Sequence, residues 1–260
     1  MPNTLFAFFL TAISSFFMII GGWLGIQTKK DNTDILCFSL GFSGGIMLYL
    51  SFTEILHEAS ENIQKVYPGN TGYILTTAGF FGGMLFLILF NRLLNHKENH
   101  EFSHGNSEEC LYKMGIFSAI SIGIHNFPEG ITTFISTLEN PTLGISVAIA
   151  IALHNLSVGM AIAIPIYFAT GKRRSALFYT FLSSTGAPIG ALAAYFFLFR
   201  FLNQFIFGLL FAVVSGIMVF ICLDEILPTA EKFGKHHLVI SGVITGMLVM
   251  AFSIIFLHHH

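Results

Sequence analysis

The first 28 residues contain no Asp, Glu, Lys, Arg or His. A helix needs about 20 apolar residues to cross the hydrocarbon core of a bilayer, so this run is long enough to span it. It has no positive n-region and no small-residue cleavage site, so we expect it to be retained rather than removed as a signal peptide. Apolar runs extend over about 5–26, 35–56, 71–90, 114–138, 142–168, 176–199, 201–223 and 238–257. The sequence therefore predicts an all-α polytopic membrane protein with eight transmembrane helices in one domain, 1–257.

Charge and cysteine content exclude other classes of protein. Charged residues make up 10% of the chain, against about 25% in soluble domains. The 12 Lys and Arg residues are scattered and the formal net charge is −2, so no nucleic-acid partner is expected. Cys37, Cys110 and Cys222 lack the paired spacing of a disulfide framework or a zinc knuckle.

Lys and Arg are distributed unequally between the connections of the predicted spans. Ten lie in connections that follow odd-numbered spans, whereas the opposite side carries Lys65 and Arg200. Because short cytoplasmic connections are enriched in these residues, we expect both termini outside. The predicted location is the cytoplasmic (inner) membrane.

The longest connection, 91–113, lies on the predicted cytoplasmic side and carries His96, His100 and His104 together with several Glu residues. Spacing of four places the three imidazoles on one face if the segment is helical, so the loop could hold metal weakly. Polar loops of this composition are also often disordered, and both interpretations stay open. The terminal 258–260 are either native or the remnant of a purification tag.

Two pairs of segments repeat within the chain. Gly45–Leu56 in the second span aligns without gaps to Gly216–Leu227 in the seventh, and Ile124–Gly130 in the fourth resembles Leu153–Gly159 in the fifth. The members of each pair run in opposite directions through the predicted membrane. Inverted repeats are typical of secondary transporters that bind their substrate near the midplane. We therefore expect a 3+2+3 inverted repeat, with chance similarity between apolar helices as the alternative.

The ionisable residues deep within the predicted spans are His125, Glu129 and His154. Such residues are costly in a bilayer and mark functional sites by default. Asn126 and Asn155 follow the two histidines, and Pro128 is expected to free the carbonyl of the residue four positions earlier. Imidazole nitrogens with carboxylate and amide oxygens suit Zn²⁺ or Fe²⁺ better than Mg²⁺. The alternative is that these side chains bond one another as a polar contact between helices.

The segments His125–Gly130, Ser215–Pro228 and Ser43–Leu48 resemble the ZIP (Zrt/Irt-like) family of divalent metal transporters, closest to its bacterial ZupT branch. The resemblance covers essentially the whole chain. It implies transport of zinc, and of iron, manganese or cadmium as further candidates, into the cytoplasm by a homodimer in the lipid bilayer. The metal is then a transported substrate, and no cofactor is expected.

The resemblance also implies a metal centre that is built from the fourth, fifth and sixth spans. The positions of this chain that match its ligands are His125, Asn126, Glu129, His154 and Asn155, and Met47 matches a ligand from the second span. Two positions depart from the family pattern, because Val158 and Ala187 stand where carboxylates are usual. With two negative charges fewer, we expect one metal ion per protomer instead of two.

The leading functional hypothesis is therefore a secondary carrier with one ion at the midplane, although a channel-like mode and the question of proton coupling stay open. The missing carboxylates also allow a membrane metal sensor or a transport-inactive relative. An intramembrane metalloenzyme is the weakest alternative, because the chain has no His-Glu-x-x-His motif and its one deep carboxylate is required as a ligand. We expect no enzymatic activity.

Overall fold

The computed structural model describes residues 2–27, 33–95, 107–198, 203–231 and 234–258. These residues form helices and no strand, which confirms the all-α prediction. His96, His100 and His104 lie outside the described residues. The helices are α1 (Pro2–Gly25), α2 (Thr33–Leu50), α3 (Leu56–Val66), α4 (Asn70–Asn95), α5 (Ser107–Glu139), α6 (Pro141–Thr170), α7 (Arg173–Ser184), α8 (Gly186–Ala193), α9 (Gln204–Ile221), α10 (Leu227–Glu231) and α11 (His236–His258). Within these described ranges, π-helical turns occupy Ser51–Ile55, Ala194–Leu198 and Cys222–Ile226.

Within the described residues, seven helical segments are long and apolar enough to cross a membrane. They are Asn3–Gly25, Cys37–Val66, Asn70–Leu89, Pro141–Thr170, Arg173–Phe197, Gln204–Glu231 and His236–Ile255. The predicted span at 114–138 lies in α5, which is not among the seven. Its middle carries His125, Asn126 and Glu129 around Pro128, and these polar residues lower its hydropathy.

Two predicted spans are shorter than the helical segments that contain them. The predicted second span ends near residue 56, whereas α3 continues to Val66 with Glu and Lys side chains on its surface. The predicted seventh span ends near residue 223, whereas the helical segment continues to Glu231. Hydropathy locates the apolar part of a helix, but backbone hydrogen bonding carries the helix beyond it into polar residues.

Asparagine side chains fix the start of two helices. Asn140 Oδ1 accepts a hydrogen bond from the Thr142 backbone N–H at 2.9 Å and so caps α6. Asn203 Oδ1 caps α9 in the same way by accepting from the Ile206 N–H at 2.9 Å. Each cap satisfies one of the N–H groups that a helix leaves without an internal partner.

Glycine brings α1, α5, α6, α7 and α8 together in what we call the first bundle. A Cβ on Gly21 of α1 would lie 1.9 Å from the Leu156 carbonyl oxygen of α6, and one on Gly130 of α5 would lie 1.9 Å from the Ala187 carbonyl oxygen of α8. Only a residue without a side chain allows the backbones to approach so closely.

The second bundle contains α2, α3, α4, α9, α10 and α11 and is packed in the same manner. A Cβ on Gly45 of α2 would lie 2.1 Å from the Val243 carbonyl oxygen of α11, and one on Gly83 of α4 would lie 2.1 Å from the Val213 carbonyl oxygen of α9. Among the glycines whose surroundings are described, each one that touches another helix does so within its own bundle.

Large side chains fill the interface between the two bundles. Met47 and Leu50 from the second bundle belong to the same buried cluster as Phe134 and Ile151 from the first. Helix α2 packs against α6, and α5 packs against α9. The helices are therefore held by backbone contact within each bundle and by interdigitated side chains between the bundles.

Two of the π-helical turns fall at matching positions of the repeat found in the sequence. Ser51 begins one turn and Cys222 begins the other, and the gapless alignment pairs these residues. Ser215 Oγ donates to the Ser51 carbonyl oxygen at 2.9 Å, while Cys222 Sγ contacts the Gly44 carbonyl oxygen at 3.4 Å. Gly44 and Ser215 lie one position before the two aligned segments and in the same register. Equivalent pairs of positions are therefore in contact in both repeats, with the donor and the acceptor exchanged.

Two adjacent glycines of α4 test the close packing directly. Gly83→Ala should lower the free energy of unfolding by about 1–3 kcal/mol, because the new methyl group overlaps the Val213 carbonyl. Gly82 has no atom of another residue within 4 Å of the position of a Cβ. Gly82→Ala should therefore leave stability unchanged or raise it by up to about 1 kcal/mol through helix propensity. Thermal unfolding midpoints in detergent measure both, and equal effects would contradict the packing.

Candidate metal site

The centre of the site is the pair formed by Glu129 of α5 and His154 of α6. Both side chains are 1% exposed, and His154 Nε2 lies 3.4 Å from Glu129 Oε1. Each residue lies in the interior of a long helix, and α5 packs against α6. The structure therefore brings together two of the three deep ionisable residues that the sequence singled out.

The distance between these two atoms fits a shared metal ion. A hydrogen bond from N–H to O is usually 2.7–3.2 Å long. Two ligands about 2.0–2.1 Å from a tetrahedral zinc ion lie about 3.4 Å from each other. The separation of His154 Nε2 and Glu129 Oε1 matches that second value.

The second ring nitrogen of His154 contacts Ser43 of α2. Ser43 Oγ and His154 Nδ1 are 2.5 Å apart, and Ser43 is fully buried. A histidine that binds a metal through Nε2 carries its proton on Nδ1 and donates it to a neighbouring acceptor. Ser43 Oγ is within reach to accept that proton, and His154 Nε2 faces Glu129.

Two buried asparagines present their amide oxygens without a donor. Asn126 Nδ2 donates to the Ser183 carbonyl oxygen at 2.9 Å, and Asn155 Nδ2 donates to the Ser14 carbonyl oxygen at 3.0 Å. In both residues Oδ1 is buried and has no hydrogen-bond partner. Because a buried acceptor without a donor costs about 1–3 kcal/mol, these two oxygens suit a cation that completes their environment.

The remaining predicted ligands are His125 and Met47, and the structure connects them to the site in less detail. The backbone of His125 lies in α5, one turn before Glu129, and its side chain is outside the described part of the chain. Met47 is 1% exposed and lies on α2, one turn beyond Ser43, within the apolar cluster between the bundles. Among the described side chains, no group of three His, Cys, Asp or Glu residues could hold a metal by itself. The amide oxygens, and the His125 imidazole, are then needed to complete a coordination shell.

The two positions at which the sequence departs from the family pattern are apolar and buried. Val158 lies one turn beyond His154 on α6 and is 2% exposed, and it packs in a buried cluster with Met18 of α1. Ala187 is also 2% exposed, and its carbonyl contacts α5 at Gly130, next to Glu129. Neither position offers a ligand, so Glu129 supplies the carboxylate among the described residues of this cluster.

The residues that contact the predicted ligands are not marked by the sequence pattern. Ser43 lies in a family motif without an assigned role, and Met18 and Ser14 lie within the predicted first span. Met18 Sδ accepts a contact from Asn126 Nδ2 at 3.6 Å. A Ser-Gly-Gly sequence in the middle of an apolar run was the available signal for Ser43, since a hydroxyl there needs a partner.

The acidic residues around the start of α3 form a separate group. His57 and Glu61 form an exposed i,i+4 pair with Nε2 and Oε1 3.3 Å apart. Glu58 Oε1 accepts from Asn62 Nδ2 at 2.7 Å, while Glu54 in the preceding π-helical turn is buried. The segment is thus exposed on one face and buried on the other.

Buried nitrogen and oxygen atoms on α5 and α6 lie together within an apolar, all-helical protein, an arrangement that suits a metal transporter. A family model described as ZIP zinc transporter matches residues 95–254. The zinc transporter ZupT of Chlorobaculum parvum is 47% identical over 262 residues, which cover 97% of this chain and 98% of the relative. The ZupT protein of Chlorobium chlorochromatii is 45% identical, with the same coverage. That of Streptococcus mutans is 45% identical over 96% of both chains.

These comparisons confirm the resemblance that the motifs indicated. The chain belongs to the ZIP family of zinc transporters. Proteins of this family are transporters and not enzymes, in agreement with the expectation from sequence.

Proposed function

We propose that this protein is a secondary transporter that carries a divalent transition-metal ion, zinc foremost, across the cytoplasmic membrane into the cell. Membership of the ZIP family and the similarity to ZupT proteins, which are zinc transporters, support this proposal. The observation that carries it is the pair of buried amide oxygens, on Asn126 and Asn155, that lack donors beside a histidine and a carboxylate.

The proposed binding site holds one ion between α5 and α6. Glu129 and His154 contact the ion from opposite helices, and His125 adds a second imidazole from the turn before Glu129. Asn126 or Asn155 completes the shell, with water or Met47 as the alternative fourth ligand. The 3.4 Å separation of Glu129 Oε1 and His154 Nε2 supports this arrangement, since it suits two ligands of one ion.

Charge limits the site to a single ion. One carboxylate offsets half the charge of a divalent cation, and a second cation nearby would be repelled by the first. Val158 and Ala187 contribute no charge and are packed against neighbouring helices. A site with nitrogen ligands and neutral oxygens should bind Zn²⁺, Cd²⁺ and Fe²⁺ in preference to Mn²⁺ and Mg²⁺.

The proposed topology has eight transmembrane helices, a 3+2+3 inverted repeat and both termini outside. Three observations support it: the asymmetry of Lys and Arg, the matched π-helical turns at Ser51 and Cys222, and equivalent pairs of packed helices. The packing of α1 on α6 is matched by the packing of α7 and α8 on α5. In the same way, the packing of α2 on α11 is matched by the packing of α9 on α4. Transport then follows when one bundle moves against the other around the site, and the resemblance to the family implies a homodimer.

Uptake of radioactive zinc into proteoliposomes tests the proposed activity. Glu129→Gln should abolish uptake, because it removes the one charge that offsets the cation while it preserves the shape of the side chain. Glu139→Gln is the matched control, since Glu139 is exposed at the end of the same helix. It should transport as the wild type does. Competition by unlabelled iron, cadmium and manganese then gives the order of preference.

A different outcome of the uptake measurement would change the proposal. If wild-type liposomes take up no more zinc than empty ones, yet the purified protein binds zinc, the protein is better described as a membrane metal sensor or an inactive relative. If Glu129→Gln transports as fast as Glu139→Gln, then the ion does not pass through this site.

Metal stoichiometry tests the role assigned to Val158. The wild type should bind one zinc ion per protomer at saturation, and Val158→Glu should bind two, because a second carboxylate offsets the repulsion between the cations. Val158→Gln is the control of equal size without charge and should bind one. Elemental analysis of the protein after gel filtration gives the number. A single ion in Val158→Glu would show that the lost position does not lie at the site.

A further inference from the structure

The hydrogen bond between Ser43 and His154 connects the two bundles. Ser43 lies on α2, which is packed on α11 through Gly41 and Gly45. His154 lies on α6, which is packed on α1 through Gly159. The Oγ–Nδ1 distance is 2.5 Å, and both residues are at most 1% exposed.

We propose that Ser43 is a positioning residue that holds the His154 ring for the metal ion from the opposite bundle, so that ion affinity depends on how the two bundles are placed. This inference rests on the proposed function. It adds a residue that makes no contact with the ion and a physical reason for the ion to be released.

The first step of the argument concerns the ring itself. An imidazole has two nitrogens, and Nε2 can bind a metal only when the proton is on Nδ1. That proton needs an acceptor, and water cannot supply one at a side chain that is 1% exposed. Ser43 Oγ is the acceptor in reach, so it fixes both the tautomer and the plane of the ring.

The second step concerns the other ligands. Asn126 is oriented by Ser183 of α7, and Asn155 is oriented by Ser14 of α1. Both of these bonds lie within the first bundle, and so does the approach of His154 to Glu129. A movement of one bundle against the other leaves these bonds unchanged, whereas it separates Ser43 from His154.

The consequence is an affinity that changes with the position of the bundles. While Ser43 accepts from Nδ1, the ring faces the ion and the complex is stable. When α2 moves away from α6, the bound form retains a buried N–H without an acceptor, which is costly. The ion is then held less tightly, as a carrier requires at the point of release.

Zinc binding to the purified full-length protein, measured by isothermal titration calorimetry in detergent, tests this inference. Ser43→Ala should raise the dissociation constant about 10–100-fold, the usual effect of removing a hydrogen-bond partner from a metal-bound histidine. Ser215→Ala is the matched control, because Ser215 is also fully buried but donates within the second bundle to Ser51. Its dissociation constant should stay within about twofold of the wild-type value, since its bond lies away from the ligands.

Two further measurements separate positioning from a general structural defect. In the His154→Ala background, Ser43→Ala should cause no additional loss of affinity, because the ring on which it acts is absent. In proteoliposomes, Ser43→Ala should raise KM for zinc by about the same factor as the dissociation constant, because the bond that it removes stabilises the loaded protein while the two bundles are together.

The outcomes distinguish this inference from the proposed function. If the wild type neither binds nor transports zinc, the proposed function fails. If the wild type binds zinc and Ser43→Ala binds it equally well, the function stands and the role of Ser43 is refuted. An additional loss in the His154→Ala background would equally refute it, because Ser43 would then act through another group.

Discussion

Water is absent from the hydrocarbon core of a membrane, so each polar group there needs a partner within the protein. The arrangement around Glu129 and His154 follows from this constraint. Amide N–H groups donate to carbonyls of neighbouring helices, Ser43 contacts the imidazole, and amide oxygens are left as acceptors. The buried amide oxygens of Asn126 and Asn155 accept no hydrogen bond and can be satisfied by a divalent cation.

Glycine makes this arrangement compatible with transport. Backbone contacts at Gly21, Gly130, Gly45 and Gly83 hold the helices of each bundle close together. The interface between the bundles contains large side chains such as Met47 and Phe134 instead. Contacts of this second kind can exchange without change inside either bundle, and the proposed ligands Glu129 and His154 lie on α5 and α6 of the same bundle.

Much of this account could be predicted from the sequence, because its signals are local. The apolar runs predicted the helices. The polar residues deep within those runs, Glu129, His154, Asn126 and Asn155, indicated the candidate site. The ends of α3 and α10 could not be predicted in this way, since the helices continue where hydropathy falls. The π-helical turns could not be predicted either, because hydropathy does not distinguish a π-helical turn from the α-helix around it.

The residues that contact the proposed ligands could not be predicted from the sequence, for a different reason. Ser43 lies 111 positions from His154 and Ser14 lies 141 positions from Asn155 along the chain. A serine in an apolar helix usually donates to a carbonyl of its own preceding turn, as Ser15 does to Thr11. Nothing in the local pattern distinguishes a serine that bonds to its own helix from one that orients a ligand on another.

X-ray absorption at the zinc edge, on protein loaded with excess zinc and freed of unbound metal, tests the single-ion site most directly. The account predicts nitrogen and oxygen ligands at about 2.0–2.1 Å, outer-shell scattering from imidazole, and no zinc neighbour. A second zinc at about 3.5–4 Å, or a spectrum without imidazole scattering, would contradict it.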